Sequence, residues 1–304
     1  MSERRVRAVA GRPVRSLVAL GDSTTLGMGD RVPGGGWRGF ARLLADALGG
    51  PGRIRFANLS TSGARVRDVH DVQLPAAMRL RPDAAVLVVG MNDTLRSDFD
   101  PVLLLRRLDV VVGELTRAGA VVVTARYHDH GRVFRLPAPL RRALRKRIDQ
   151  VNAVLDEVVA RHGAQCVDLD ALPGAYELGT WSVDRLHPSE LGHRRLARAM
   201  GERLAAAGCR VPESVSLRCS GGVRITAWHH LAWLVFRGVP WLVRRGSDLL
   251  PHGIAVMARE VAESRRERRT RRGLRLVEPM RQAPQPMGGK PVSADDAVLR
   301  PDAG

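Results

Sequence analysis

The chain has 304 residues, 44% of them hydrophobic, and 49 Lys and Arg against 31 Asp and Glu give a formal charge of +18. That much apolar material excludes a wholly disordered protein, and three scattered cysteines (Cys166, Cys209, Cys219) exclude a disulfide framework or a Cys-x-x-Cys zinc pair. The positive charge comes mostly from arginine and reads first as a solvated surface, with attraction to anionic lipid or nucleic acid as the sharper alternative.

Residues 1–13 form a basic N-terminal segment holding Arg4, Arg5, Arg7 and Arg12. The apolar stretch after Arg15 is short and runs into Gly21-Asp22 rather than a small-residue cleavage site, so an intracellular, cytoplasmic protein is expected. Ser16–Leu20 instead reads as a first strand. Further strands are predicted at Ile54–Leu59, Ala84–Val89, Ala120–Ala125 and Gln165–Leu169, with helices at about 37–48, 68–80, 101–118, 138–161 and 189–207 between and after them. The last helix is marked by Pro188 near its start and by Glu190. Most strands are rich in Val, Leu and Ala with little polar alternation, the pattern of a parallel sheet covered on both faces. Residues 14–210 are therefore expected to fold as an α/β protein, a three-layer α/β/α sandwich with a five-stranded parallel sheet.

A C-terminal helical extension is expected beyond that domain. Residues 211–262 form a Trp-rich amphipathic stretch, and residues 263–304 are first basic and then a disordered tail by composition. Within the stretch, Ile225–Val243 carries Trp228, Trp233 and Trp241. His229, His230, Arg237 and Pro240 interrupt it, which argues against a spanning helix. Its readings are peripheral membrane contact, an arm over the catalytic domain, or a helix packed on the core. Nucleic-acid binding is not expected, because no aromatics interleave with the arginine run at 265–272.

Four short signals carry chemistry. Gly21-Asp22-Ser23 follows the first strand, Gly63 the second, Gly90-Met91-Asn92-Asp93 the third, and Asp184-Arg185-Leu186-His187 lies in the loop after the fifth. In a doubly wound sheet those positions gather at the carboxyl edge. Ser23 can serve as nucleophile only if a base takes its proton. His187 suits that task, and Asp184, three residues earlier, can hold the other ring nitrogen. The backbone N–H groups of Ser23 and Gly63 and the side-chain amide of Asn92 can meet an oxyanion. Asp22 is read as a loop support rather than the triad acid. His128-Asp129-His130 reads as a polar loop beside the pocket, since consecutive residues do not share one helical face as metal ligands would. Gly27-Met28-Gly29 is not a nucleotide loop, because Val32 stands where the third glycine is needed.

Taken in order, these blocks resemble the SGNH hydrolases, the GDSL-type esterase and lipase superfamily, over about residues 14–208. The resemblance implies a flavodoxin-like fold. It also implies a carboxylic-ester hydrolase with Ser23, Asp184 and His187 as triad and Ser23, Gly63 and Asn92 as oxyanion hole, acting on a small-molecule or lipid ester with no metal or organic cofactor. Thr24 departs from the leucine of the GDSL signature at a non-catalytic position. The same machinery could instead pass an acyl group to an alcohol, or survive as a membrane- or nucleic-acid-docking module.

Overall fold

A computed structural model of the chain describes residues 11–220 apart from 51, 135 and 137, and the isolated positions 258 and 262. The chain divides into two units, Met1–Val261 and Ala262–Gly304, and the elements below belong to the first. The first ten residues, Ile225–Val243 and the rest of the predicted extension beyond Ser220 save those two positions, and the basic tail lie outside the described residues, while 211–220 carry no helix.

Two residues, Arg12–Pro13, form β1, and Ser16–Gly21 forms β2, every residue of which is buried. Then come α1 (Ser23–Leu26), α2 (Gly39–Leu48), β3 (Arg55–Asn58) and α3 (Val66–Asp68). A π-helical turn, Val69–Gln73, leads from α3 into α4 (Leu74–Leu80). Pro75 has no N–H to return to residue 71, which accounts for the wider turn at this point. There follow β4 (Ala84–Val88), α5 (Met91–Thr94), α6 (Pro101–Arg117), β5 (Val121–Arg126), α7 (His130–Phe134) and α8 (Ala138–His162). The described chain closes with β6 (Gln165–Asp168), a 3₁₀ turn at Leu178–Thr180, α9 (Glu190–Ala206) and β7 (Cys209–Arg210). Ser189 caps α9, accepting from the Gly192 N–H at 3.3 Å, so Pro188 stands just outside the helix.

The five predicted strands form one parallel sheet in the order β3-β2-β4-β5-β6. β2 thus lies between strands reached by chain movements in opposite directions, the switch point where such sheets bind ligands. Register pairs Gly21 with Val88, so β2 and β4 end side by side. Leu17, Leu20, Leu87 and Val123 are fully buried in the sheet. α2 packs on α9, and α6 on α8 and α4, covering the two faces. β1 and β7 pair in a separate two-stranded parallel sheet that ties residue 12 to residue 209.

Candidate active site

β2 ends at Gly21, whose φ of 139° disfavours any side chain; a Cβ there would lie 2.1 Å from the Val88 carbonyl oxygen. β3 has already ended at Asn58, opposite Ala19. Buried Gln73 takes its place: the Gly21 N–H donates to Oε1 at 2.7 Å, and Nε2 donates to the Gly21 carbonyl at 2.9 Å. Thr24 N–H then donates to Asp22 Oδ1 at 2.9 Å, capping α1. Ser23 is the first residue of that helix, where an N–H has no carbonyl one turn back to bond.

Ser23 Oγ lies 2.9 Å from His187 Nε2, and His187 Nδ1 lies 2.7 Å from Asp184 Oδ2. An ionised Asp184 only accepts, so Nδ1 carries the proton and the Nε2 lone pair faces the serine hydroxyl. The turn itself fixes the carboxylate. Asp184 Oδ1 accepts from Ser182 Oγ at 2.6 Å and from the N–H groups of Leu186 and His187 at 2.8 and 3.0 Å. Burial works against this charge, yet the bonds from the His187 ring and backbone and from Ser182 bring the Asp184 carboxyl down to about 2. Arg185 sits within the turn at φ 56°, in the left-handed region.

Asn92 stands on α5, the short helix after β4, and its Nδ2 donates to the Ala64 carbonyl at 3.0 Å and faces Asp22 Oδ2 at 3.5 Å. Gly63 occupies the third position of the turn Thr61–Ala64 with φ 79°, as a type II turn requires. Thr61 N–H donates to the Gly21 carbonyl at 3.3 Å, which fastens that loop beside Ser23. Among the described residues the Gly63 N–H has no hydrogen-bond partner.

Ser23, Asn92 and His187 share the walls of a cavity of about 80 Å³, and Gly63 is not among its lining residues. His128 and His130 also line it, while Asp129 turns away to Arg141 Nε at 3.0 Å. No three His, Cys, Asp or Glu side chains among the described residues are grouped to hold a metal ion. No helix among them is long and apolar enough to cross a membrane.

Sequence reasoning did not find Gln73, whose signal would have been a lone buried amide on an amphipathic helix. It also did not find His193, fully buried on α9. There Nδ1 accepts from the Phe40 N–H at 3.2 Å and Nε2 donates to the Met28 carbonyl at 2.9 Å, joining α9 to the loop after Ser23. Asp93 ties α5 to the Gly63 loop, accepting from the Val66 N–H at 3.1 Å and from Arg65 Nε at 3.3 Å.

A parallel sheet in flavodoxin-like order, with these blocks at its carboxyl edge, defines an SGNH-type sandwich. The chain belongs to the GDSL-like Lipase/Acylhydrolase family, whose sequence profile matches residues 19–195. It is 33% identical over 183 residues to the GDSL-like esterase Rv1075c of Mycobacterium tuberculosis, a match spanning 57% of this chain and 56%, little more than half, of that one. Among solved structures, LAE5, an alpha/beta hydrolase enzyme from the metagenome of Lake Arreo, Spain, is 25% identical with a TM-score of 0.51, covering 66% of this chain and 98% of its own. Axe2, an acetylxylan esterase from Geobacillus stearothermophilus, shares the fold at 22% identity and a TM-score of 0.52, over 66% of this chain and 99% of its own.

Proposed function

We propose that the protein hydrolyses carboxylic esters of small molecules or lipids through an acyl-enzyme on Ser23. His187 Nε2 takes the hydroxyl proton as Oγ attacks the ester carbon. The Ser23 and Gly63 N–H groups and the Asn92 amide receive the charge that builds on the carbonyl oxygen. His187 then gives its proton to the departing alcohol, and a water activated by the same ring releases the acid. Asp184 keeps the ring in the required tautomer and stabilises its charged form.

The reading rests on the unbroken hydrogen-bond relay from Ser23 through His187 to Asp184, at 2.9 and 2.7 Å, opening on a cavity. A fluorophosphonate probe tests it: peptide mapping should find the label on Ser23, and Ser23→Ala should lower kcat by about 10⁴-fold or more. A label elsewhere, or none on folded protein, would sink the reading. The working place that accompanies it is the cytoplasm, at a membrane surface approached through 225–243. Cosedimentation with anionic vesicles that weakens as salt rises checks that part.

A further inference from the structure

The cavity beside Ser23 has walls that the serine chemistry does not use: Val88, Leu169, Leu172, Trp181 and the pair His128 and His130. The two imidazoles are hydrogen-bonded, His130 Nδ1 to His128 Nε2 at 3.0 Å, so one ring donates and the other accepts. Their ring centres stand 4.9 and 5.0 Å from the Trp181 ring, and Trp181 Nε1 is anchored on the Ala175 carbonyl at 2.8 Å. Burial pushes the His128 pKa down to about 4, against the charges of Asp170 and Asp129. Burial, reinforced by the charge of His128, takes His130 well below the usual imidazole range. The pair is therefore uncharged at neutral pH. Arg195, the one Lys or Arg among the described lining residues, is held by Glu177 Oε2 at 3.2 Å.

Two arguments decide what such a cavity takes. The alcohol must be protonated by His187 and then leave, so it belongs on the solvent side, whereas the acyl group stays on Ser23 until water arrives. The enclosed side therefore suits the acyl group. Size sets its length, because an apolar cavity of about 150 Å³ accommodates benzene, and this one measures about 80 Å³.

We propose that this cavity is the acyl pocket of Ser23, closed by Trp181 and the His128–His130 pair, and that it selects esters of uncharged acids of about two to four carbons. The inference rests on the serine-esterase reading and adds its substrate class. A carboxylate on the acyl chain would lose its water without gaining an unpaired cation.

The test uses the full chain and p-nitrophenyl esters from acetyl to dodecanoyl. Activity should be highest between acetyl and butanoyl, with kcat/KM lower by about tenfold or more at octanoyl. The hemisuccinate ester, close in length to butanoate but charged, should be cleaved about a hundredfold more slowly. Leu172→Ala, at a half-buried wall position, should raise the octanoyl-to-butanoyl ratio by about tenfold, and Trp181→Phe should move it the same way. Changing the alcohol at constant acetyl should matter less than changing the acyl chain. Equal rates through dodecanoyl, a hemisuccinate as fast as butanoate, or wall variants that leave the ratio unmoved would overturn the pocket while Ser23 still takes the fluorophosphonate. If no ester is cleaved and Ser23 stays unlabelled, the esterase reading fails and takes the pocket with it.

Discussion

Asp22 and Asp184 are two carboxylates at one site that the surroundings push in opposite directions. Burial raises Asp22 to about 6, against the Thr24 N–H and the charge of His187, while Asp184 is held at about 2. Between pH 4 and 6 the unfolded chain gives up the Asp22 proton and the folded protein keeps it, so this group costs stability as pH rises through that window. From a reference near 3.8, a rise to about 6 corresponds to about 3 kcal/mol. Asparagine can still cap α1 and carries no charge to bury. The unfolding free energy of Asp22→Asn relative to the parent should therefore improve by about 2 kcal/mol between pH 4 and pH 7, measured by urea melts at each pH. A difference that stays flat with pH would show that Asp22 is not the buried charge described. Asp184 has the reverse sign, its contribution being present above pH 4 and lost as pH falls through 2. Asp184→Asn should leave the fold in place and lower kcat by about 10⁴-fold, because an amide can hold the wrong imidazole tautomer.

At the scale of elements, the site depends on backbones meeting closely. Gly27 and Gly29 stand where backbones approach closely, Gly27 against Gly39 and Gly29 against Pro188. A Cβ on Gly29, at φ 100°, would stand 2.0 Å from the Pro188 carbonyl oxygen, immediately after His187. Gly29→Ala must push the α1–α2 loop and the His187 turn apart, and a misplacement of about 1 Å at a catalytic group costs roughly 10²-fold in rate. The expected result is a kcat about a hundredfold lower and slowed labelling of Ser23, with KM changed far less. Full activity would mean that the turn is not braced there. The three central strands β2, β4 and β5 were legible as buried runs rich in Val, Leu and Ala, and Ser23 and Asn92 because each follows such a run within a few residues, whereas His187 was legible from its spacing to Asp184. The elements that escaped are short: β1 and β7 have two residues each, and α1 and α5 four. Nothing periodic fits in so few positions. Gln73 filling in for a strand and His128 bonding His130 escaped for another reason, since such pairings exist only once the chain is folded.

For the molecule as a whole, arginine turns out to do more than coat a solvated surface. Arg38, Arg65 and Arg194 have side chains only 21%, 11% and 11% exposed, and each is paired with carboxylates. Two of them hold the chain beyond β7 on the α2–α9 layer. Glu190 Oε1 receives Arg38 at 2.8 Å, Arg194 at 2.9 Å and the Ser220 N–H at 2.7 Å. Arg194 and Arg198 donate to the carbonyls of Ser216 and Val215, both at 2.9 Å, and Val215 is buried in the core. A chain cut after Arg210 loses that valine, at about 2 kcal/mol. It also loses at least two hydrogen bonds to partly buried guanidinium groups, at about 1 kcal/mol each. In a domain of this size each kcal/mol moves the melting temperature by roughly 2–4 °C, so a cut after Arg210 should melt about 10 °C below a cut after Ser220. Glu190→Gln in the longer form should lower its melting temperature by part of that gap, since it weakens the ionic contacts and keeps Val215 in place. Equal melting of the two truncated forms would mean that residues 211–220 merely rest on the domain.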